Sequence, residues 1–344
     1  MAETGERQEQ QRPVRRRWWR WPVRVLAALL ALVLAVFLWF QVSPWPGAML
    51  IRHSGSDGLD GAELIADYLP EDVEQHLDVV YDASSPDGRL DVLYPSGTTE
   101  PLPTVVWVHG GAFVAGTKDA LVGYLSVLAS HGYTVVSIEY TKAPEATYPR
   151  PVEQVNLALE YLVANAEELH VDPDQFVLAG DSAGAHIAAQ SALAISDPSY
   201  AAEAGLPAVI GADQLRGTIL CSGAFDPSLV DTSNPTWGFL LRTVLWAYSG
   251  TKDFENSPVF DFAALPRHVG ATYPPTFLTT GPYDPLLSHT EAMAGPSRTR
   301  AATSICSCST RPRRRRRSGT STSSISTLPR HAPRWSTWSR CCGT

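Results

Sequence analysis

The sequence has few cysteines, and their placement excludes two common ways of stabilising a domain. Cys306, Cys308, Cys341 and Cys342 all lie beyond residue 300, and Cys221 alone lies in the body of the chain, within an apolar run. No pair has the spacing of a zinc site, and the pattern does not form a disulfide framework. We therefore expect a buried free thiol at Cys221 and no metal site built on cysteine.

An excess of positive charge and internal repeats are also absent. The formal net charge of the 344 residues is −8, and lysine and arginine are concentrated at the two ends around an acidic middle. This balance gives no reason to expect a nucleic-acid partner. Hydrophobic residues make up 44% of the chain, enough for a sizeable core in one large domain or two small ones.

The N-terminal region combines a basic, tryptophan-rich segment with a long apolar run. Residues 1–24 are basic, and residues 25–42 carry no charge and one polar side chain, Gln41. A run of 18 residues is just long enough to cross a hydrocarbon core of about 30 Å as a helix. Flanking tryptophans suit the two interfaces, and arginines mark the cytoplasmic side. We predict an uncleaved membrane anchor, with the following domain on the extracytoplasmic side.

Two alternatives for residues 25–42 remain open. A cleaved signal peptide usually has a shorter apolar core and a small-x-small cleavage site, whereas this run ends in FLWFQVSPWPG. A buried helix of a soluble domain is the other alternative, although so many neighbouring arginines disfavour it.

The remaining chain divides by composition into three parts. Residues 43–75 are predicted to be a linker with a short amphipathic segment, residues 76–293 a globular domain, and residues 294–344 an aberrant tail. The domain begins with LDVVYDA and RLDVLYPS, which alternate like antiparallel strands joined by a turn. Five apolar runs then alternate with helical patterns, which predicts an α/β fold: a mostly parallel sheet with helices on both faces.

A tryptophan-rich insertion separates the fourth and fifth apolar runs. It has no strand period, and we predict a small helical cap over the carboxyl edge of the sheet. Its large apolar side chains could line an acyl site or simply pack in the core. These are Trp237, Phe239, Leu240, Leu241 and Trp246.

The peptide GDSAG, residues 180–184, follows a buried strand and opens a helix. This is the setting of a nucleophile elbow, in which a serine stands on a tight strand-to-helix turn. A Cβ at Gly180 or Gly184 would collide with neighbouring backbone, so small residues are required there. Ser182 at the helix N-terminus is therefore the candidate nucleophile, where the helix dipole favours negative charge.

The peptide HGGAF, residues 109–113, ends another buried strand. A serine esterase must stabilise an oxyanion, usually with backbone N–H groups. We predict an oxyanion hole formed by Gly111 and Ala112 together with Ala183, while Gly110 shapes the turn. His109 could be a base, but a role in holding the loop by hydrogen bonds is favoured.

Asp284 follows the fifth apolar run in TTGPYDPLLSH. A carboxylate at this position can accept a hydrogen bond from a catalytic histidine and fix its tautomer. Asp-Pro is also a common turn, so this assignment depends on the two motifs upstream.

Together these motifs resemble the hormone-sensitive-lipase-like branch of the α/β-hydrolases. The resemblance covers roughly residues 76–293 and includes EYTKAPEATYPRPVEQ between HGGAF and GDSAG. It implies an esterase or lipase with Ser182 as nucleophile, Asp284 as the acid and an oxyanion loop at 109–112. Ala112 stands where the family often has a third glycine. The family also implies a histidine some 30 residues after the acid.

No histidine fits that expectation. The Ser…Asp…His order requires the base to follow Asp284, and only His289 and His331 do so. His289 lies five residues on in a helical pattern and should point away from the elbow. His331 is a weak candidate because TLPRHAPRW shows neither the preceding strand nor the following helix.

A frameshift near Ala294 explains both the missing histidine and the tail. Beyond that residue, apolar periodicity gives way to Arg, Ser, Thr, Cys and Trp. One back-translation of GTSTSSIST, residues 319–327, yields HEYQFDLD when it is read in another frame. In the same frame, the tryptophan and cysteine codons of residues 334–342 give a pattern of apolar residues that is typical of a helix. We predict that the last strand, the catalytic histidine and the last helix are lost. A genuine basic tail is the alternative.

The predicted function is hydrolysis of carboxylic esters through an acyl-enzyme, without metal or cofactor. We expect the protein to bind a small-molecule ester as its substrate and to contact a membrane through residues 25–42. The chain as it stands is expected to be inactive for want of the base. A non-catalytic ligand-binding protein on the same fold is the main alternative, and a related peptidase is disfavoured because no peptide-binding domain is present.

Overall fold

The computed structural model describes residues 20–54, 65–235, 237–297 and 304–307. The chain divides at Pro46 into two compact units. The first contains α1 (Arg20–Val42), a single helix. Its window Trp21–Val42 has a mean hydropathy of 2.7, and by length and composition it could cross a membrane or serve as a signal sequence. The predicted apolar run is confirmed as a helix, and the membrane anchor stays a prediction.

The second unit is built on one sheet of eight strands. The strands are β1 (Val73–Val80), β2 (Arg89–Pro95), β3 (Leu102–Val108), β4 (Thr134–Ile138), β5 (Val171–Asp181), β6 (Leu215–Cys221), β7 (Thr276–Thr280) and β8 (Ser304–Ser307). Their order across the sheet is β1-β2-β4-β3-β5-β6-β7-β8. β2 is antiparallel to both β1 and β4, and every pair from β4 to β8 is parallel. This confirms the predicted antiparallel hairpin and mostly parallel sheet.

Helices cover the sheet, and the strand sequence explains why. The helices of this unit are α2 (Trp45–His53), α3 (Val122–Ala129), α4 (Arg150–Ala164), α5 (Ala183–Ser196), α6 (Pro198–Ala204), α7 (Gly238–Ser249), α8 (Pro258–Asp261) and α9 (Leu287–Ser297). Successive residues of a strand point to opposite faces. In β3, Val106 and Val108 join the large core with α4 and α5, whereas Val105 and Trp107 join a smaller core with α3. A continuous apolar strand is therefore buried on both faces.

The C-terminal part of the sheet corrects the sequence interpretation. α9 continues to Ser297, past the predicted domain boundary at 293, and β8 pairs in parallel with β7. A strand of the present reading frame thus occupies the edge where the last strand was expected to be lost. A four-residue edge strand requires only backbone N–H and C=O groups, which any non-proline sequence supplies. The rest of the tail, including His331, lies outside the described residues, as does most of the basic segment 1–24.

The predicted linker at residues 43–75 is also corrected. It contains the helix α2, from which Ala48 is fully buried in the large core, and β1 begins within it at Val73. A Cβ at Gly47 would lie 2.5 Å from Cγ2 of Thr243 on α7, so the two helices are in close contact. The buried Ala48 and the close approach at Gly47 together bring α2 onto the domain.

The insertion between β6 and β7 is helical, as predicted, but buries different residues. Trp237 and Phe239 are each 59% exposed, and Leu240, Leu241 and Trp246 are half-buried. The core contacts of α7 come instead from the next helical turns, where buried residues recur at a spacing of about one turn. These are Val244, Leu245, Ala247 and Tyr248.

A buried lysine ties the segment after β3 to the sheet. The Lys118 ammonium lies 2.8 Å from the Asp91 carboxylate on β2, and these side chains are 6% and 0% exposed. Asp78 and Asp119, both largely exposed, approach the same ammonium at 3.0 and 2.7 Å. The Lys118 carbonyl also accepts a hydrogen bond of 2.9 Å from the Ser137 hydroxyl. These contacts fix Lys118, which follows the loop at residues 109–116, to the sheet.

Replacing Lys118 by Met should destabilise the domain strongly, because Asp91 would remain as an unpaired charge in the core. We expect a loss of about 3–5 kcal/mol in the free energy of unfolding, measured by urea denaturation. The double variant Lys118→Met/Asp91→Asn should recover most of that loss. Asp119→Asn, at an exposed partner, should cost less than about 1 kcal/mol. Equal effects of Lys118→Met and Asp119→Asn would contradict this interpretation.

Candidate active site

Ser182 lies at the turn between β5 and α5, as the motif predicted. Its backbone has φ 50° and ψ −117°, an unusual conformation for a residue with a side chain. Such a conformation costs on the order of 1–3 kcal/mol and persists only where the surroundings enforce it. The Ser182 N–H donates to the Cys221 carbonyl at 2.8 Å, which anchors the turn to β6. The turn therefore presents the hydroxyl at the N-terminus of α5.

The two glycines of the motif have the close contacts that the motif requires. A Cβ at Gly180 would lie 2.6 Å from the Gly184 carbonyl carbon and 2.7 Å from the Val108 oxygen. A Cβ at Gly184 would overlap the carbonyl oxygens of Val108 and His109. The elbow is thus packed directly against the end of β3, where the oxyanion loop begins.

The loop after β3 is compact and strained. Gly111, Ala112 and Phe113 have φ values of 122°, 54° and 61°, and two of these residues carry a Cβ. The Gly111 carbonyl accepts from Val114 N–H at 3.1 Å and from Ala115 N–H at 2.8 Å. Among the described residues, none accepts a hydrogen bond from the N–H of Gly111 or Ala112.

The N–H of Ala183, just after the candidate nucleophile, also has no acceptor within the described part of the chain. Free backbone N–H groups at a helix N-terminus and in a neighbouring glycine loop are suitable donors to a developing oxyanion. Gly110 differs from them, because its N–H already donates to a carboxylate. It remains a residue that shapes the turn.

That carboxylate belongs to Asp181, which the sequence interpretation missed. Asp181 Oδ1 accepts from Gly110 N–H at 3.2 Å and from the Trp107 indole N–H at 3.1 Å. Asp181 immediately precedes Ser182, so this side chain joins the elbow to the oxyanion loop. Asp181 is the second residue of GDSAG, a position that the motif leaves open. Its hydrogen-bond partners are 71 and 74 residues away, so the motif alone does not predict them.

His109 is held between two hydrogen-bond acceptors. Its Nδ1 lies 2.7 Å from the Gly110 carbonyl, and its Nε2 lies 3.0 Å from Glu139 Oε1. Tyr140 stacks on the ring at 4.4 Å. Both ring nitrogens therefore already lie against acceptor groups, a carbonyl and a carboxylate. A histidine held on both sides in this way is not free to act as a base towards Ser182.

The Glu139 carboxyl that contacts His109 is itself charged. Burial alone would raise the pKa of this carboxyl, but the hydrogen bond from His109 and the charges of His109 and Lys142 bring it to about 2. The Lys142 ammonium lies 2.7 Å from Oε1. Glu139 is therefore ionised at neutral pH and fixes the start of the oxyanion loop.

Asp284 lies after β7, and its side chain caps the start of the next segment. Its Oδ1 accepts from Leu286 N–H at 2.8 Å. His289 is buried, and its Nδ1 accepts from Asp226 N–H at 3.2 Å. A triad histidine instead donates from Nδ1 to the acid. Asp284 and His289 therefore do not form the pair that a base requires.

His186, one helical turn after Ser182, is the other buried histidine near the elbow. Its Nδ1 donates to the Ala224 carbonyl at 3.0 Å, and its Nε2 has no partner among the described residues. Burial lowers its pKa to about 4, which makes it a weak base at neutral pH.

Within the described part of the chain, no cluster of His, Cys, Asp or Glu could hold a metal ion.

The sheet order, the strained serine turn and the adjoining glycine loop define an α/β-hydrolase fold. A family model described as BD-FAE matches residues 90–294, well over half of the chain. The chain therefore belongs to the BD-FAE family, and its predicted place among esterase-like α/β-hydrolases is confirmed.

Individual relatives agree with this placement. Esterase LipC of Mycobacterium tuberculosis is 39% identical over 107 residues, which cover 30% of this chain and 26% of that protein. An esterase of Gibberella moniliformis is 28% identical over 195 residues, which cover 55% of this chain and 58% of that protein. The matches thus span about a quarter and somewhat over half of these curated relatives.

A solved structure shows the same fold. The crystal structure of an inhibited esterase B from Lactobacillus rhamnosis superposes with a TM-score of 0.62 at 21% identity. The superposition covers 72% of this chain and 79% of that one. At this identity the likeness concerns the fold alone.

The ion pair behind the oxyanion loop should make stability depend on pH. Because the pKa of Glu139 is lowered from 4.5 to about 2 in the folded state, its contribution is complete above pH 4.5 and is lost as the pH falls towards 2. Glu139→Gln should therefore lower the free energy of unfolding at pH 7 by roughly 2–3 kcal/mol. Denaturant titrations should show the two proteins converging between pH 4.5 and about 2. A constant difference across that window would contradict the assigned charge.

Proposed function

We propose that this domain is built to hydrolyse carboxylic esters through an acyl-enzyme on Ser182. The observation that carries the proposal is the strained serine turn packed against a loop with free N–H groups. The Ser182 oxygen attacks the ester carbonyl carbon, and the carbonyl oxygen becomes negative. Gly111, Ala112 and Ala183 donate hydrogen bonds to that oxygen. The alcohol leaves with a proton, and water then releases the acid from Ser182.

The reaction also requires a histidine that accepts the serine proton and returns it to the alcohol. We propose Asp284 as the acid that orients this histidine. His109, His186 and His289 are each unsuited by their hydrogen bonds or burial, and His331 lies outside the described residues. A frameshift near Ala294 therefore remains our explanation. The family match, which ends at residue 294, supports that position.

Restoring the reading frame after Ala294 should create esterase activity. We expect the present chain to hydrolyse short and long p-nitrophenyl esters at no more than about 1/1000 of the rate of the restored chain, because Ser182 lacks its base. Release of p-nitrophenol, followed by its absorbance, measures both rates.

The control is Ser182→Ala in the restored chain, which should abolish turnover. Turnover that persists in Ser182→Ala would contradict the assigned nucleophile. Sequencing the gene through codons 290–320 gives an independent check, because an uninterrupted frame there would contradict the frameshift. Esterase activity in the present chain would contradict the prediction that this chain is inactive.

A ligand-binding protein without catalysis is the second candidate. The specific observation that favours it is the lack, among the described residues, of a base paired with Asp284. Such a protein would bind esters or acids without turnover in either reading frame. Ester binding without turnover in the restored chain would therefore favour this alternative.

We further propose that α1 anchors the domain in a membrane, with the domain on the extracytoplasmic side. The length and hydropathy of Trp21–Val42 support this. We expect the full chain to stay in the membrane fraction after an alkaline carbonate wash, because transferring about 20 apolar residues into lipid is effectively irreversible. A variant that lacks residues 1–44 should be soluble. A mature chain beginning after Val42, detected by N-terminal sequencing, would instead indicate a cleaved signal.

A further inference from the structure

The oxyanion loop continues beyond residue 112 to residue 116, and this second half is held by groups from distant parts of the chain. The Phe113 carbonyl accepts from Ala143 N–H at 2.8 Å. The Phe113 ring stacks on Tyr248 of α7, with ring centroids 3.8 Å apart. The Val114 carbonyl accepts from the Nε of Arg52 at 2.7 Å. The third contact comes from α2, the helix that begins three residues after α1 ends.

The Arg52 guanidinium uses all three nitrogens. Besides its Nε contact, its Nη2 donates to the Ala143 carbonyl at 3.0 Å, and Nη1 and Nη2 donate to the two Glu145 oxygens at 2.6 and 2.8 Å. A planar fork of this kind holds several acceptors in one fixed geometry, which a lysine cannot reproduce. Arg52 therefore joins the oxyanion loop to the segment at residues 143–145.

The position of Arg52 is itself fixed. Ala48, one helical turn before it, is fully buried in the large core. Gly47 packs against Thr243 with no space for a Cβ. A sliding or rotation of α2 would break both contacts, so its guanidinium stays at the loop.

The hydrogen bonds continue from Arg52 into the oxyanion hole. The Val114 carbonyl, which Arg52 contacts, belongs to the same peptide group as the Ala115 N–H. That N–H donates to the Gly111 carbonyl at 2.8 Å. The Gly111 carbonyl in turn belongs to the same peptide group as the Ala112 N–H. In a trans peptide the C=O and N–H point in opposite directions, so the two peptide dipoles align head to tail.

We propose that Arg52 is a positioning residue of the oxyanion hole, which orients and polarises the Ala112 N–H through these two peptide groups. The proposal rests on the proposed ester hydrolysis. A cation at one end of a hydrogen-bond chain strengthens each bond along it, because every group polarises the next. The Ala112 N–H then has a fixed direction and a larger partial charge. The helix that follows α1 is thereby part of the catalytic scaffold.

The first test needs no turnover. We would measure backbone hydrogen exchange by mass spectrometry on peptides covering residues 110–117 in the full chain in detergent. In Arg52→Met, exchange there should be at least about tenfold faster, the factor for loss of one charge-assisted hydrogen bond. Arg52→Lys, which keeps a cation but has a single donor nitrogen in place of the guanidinium's three, should give an intermediate rate.

The matched control is Arg150→Met, which removes an inter-element ion pair away from this loop. The Arg150 side chain is 33% exposed, against 23% for Arg52, and it pairs with Asp82 at 2.9 Å. Exchange at residues 110–117 should be unchanged in this variant. Equal exchange in the Arg52 and Arg150 variants would overturn the proposal. If Arg52→Met fails to fold, as judged from its melting curve, the same comparison is made between Arg52→Lys and Arg150→Lys.

The second test uses the chain with the restored reading frame. Arg52→Met should lower kcat for p-nitrophenyl esters by about 10- to 100-fold and change KM by less than about twofold, because the oxyanion forms only in the transition state. Arg150→Met should change neither. Unchanged kcat despite faster loop exchange would also overturn the proposal. If no chain turns over esters, the proposed function fails, and hydrogen exchange alone then decides whether Arg52 braces the loop.

Discussion

The packing of the elbow against the end of β3 is the contact on which the candidate site depends. Gly184 and Gly180 lie so close to the Val108 and His109 carbonyls that even a methyl group would not fit. This approach brings the strained serine turn beside the strained glycine loop, although 72 residues separate Ser182 from Gly110 in sequence. Asp181 then joins the two with a hydrogen bond to Gly110.

Buried charge maintains the loop from behind. His109, Glu139 and Lys142 form one network at the start of the loop, and Lys118 with Asp91 fixes the chain just after it. A buried charge is costly unless it is paired and hydrogen-bonded, so loss of any one member would leave its partners uncompensated. The same network explains why His109, the histidine of the HGGAF peptide, is not available as a base.

The likeness to known esterases and the hydrogen bonds within the site lead to different conclusions about activity. The family match and the fold place the chain among esterase-like α/β-hydrolases. The hydrogen bonds of His289 and Asp284 do not form the acid–base pair that this chemistry uses. The serine turn, the glycine loop and Asp284 come from separate stretches of chain, and among the described residues no histidine is paired with Asp284.

The sequence by itself determined most strands of the sheet, the turn and the start of the loop, since each is encoded by neighbouring residues. The apolar run of β3 predicts a strand buried on both faces, and Gly180 and Gly184 around Ser182 predict the turn. Only the tertiary structure decided that α2 is part of the domain, that Trp237 and Phe239 are exposed and that Arg52 reaches the oxyanion loop. The contact between Arg52 and Val114 joins residues 62 positions apart. Contacts of this kind depend on how elements pack, and no local pattern of apolar residues or glycines specifies them.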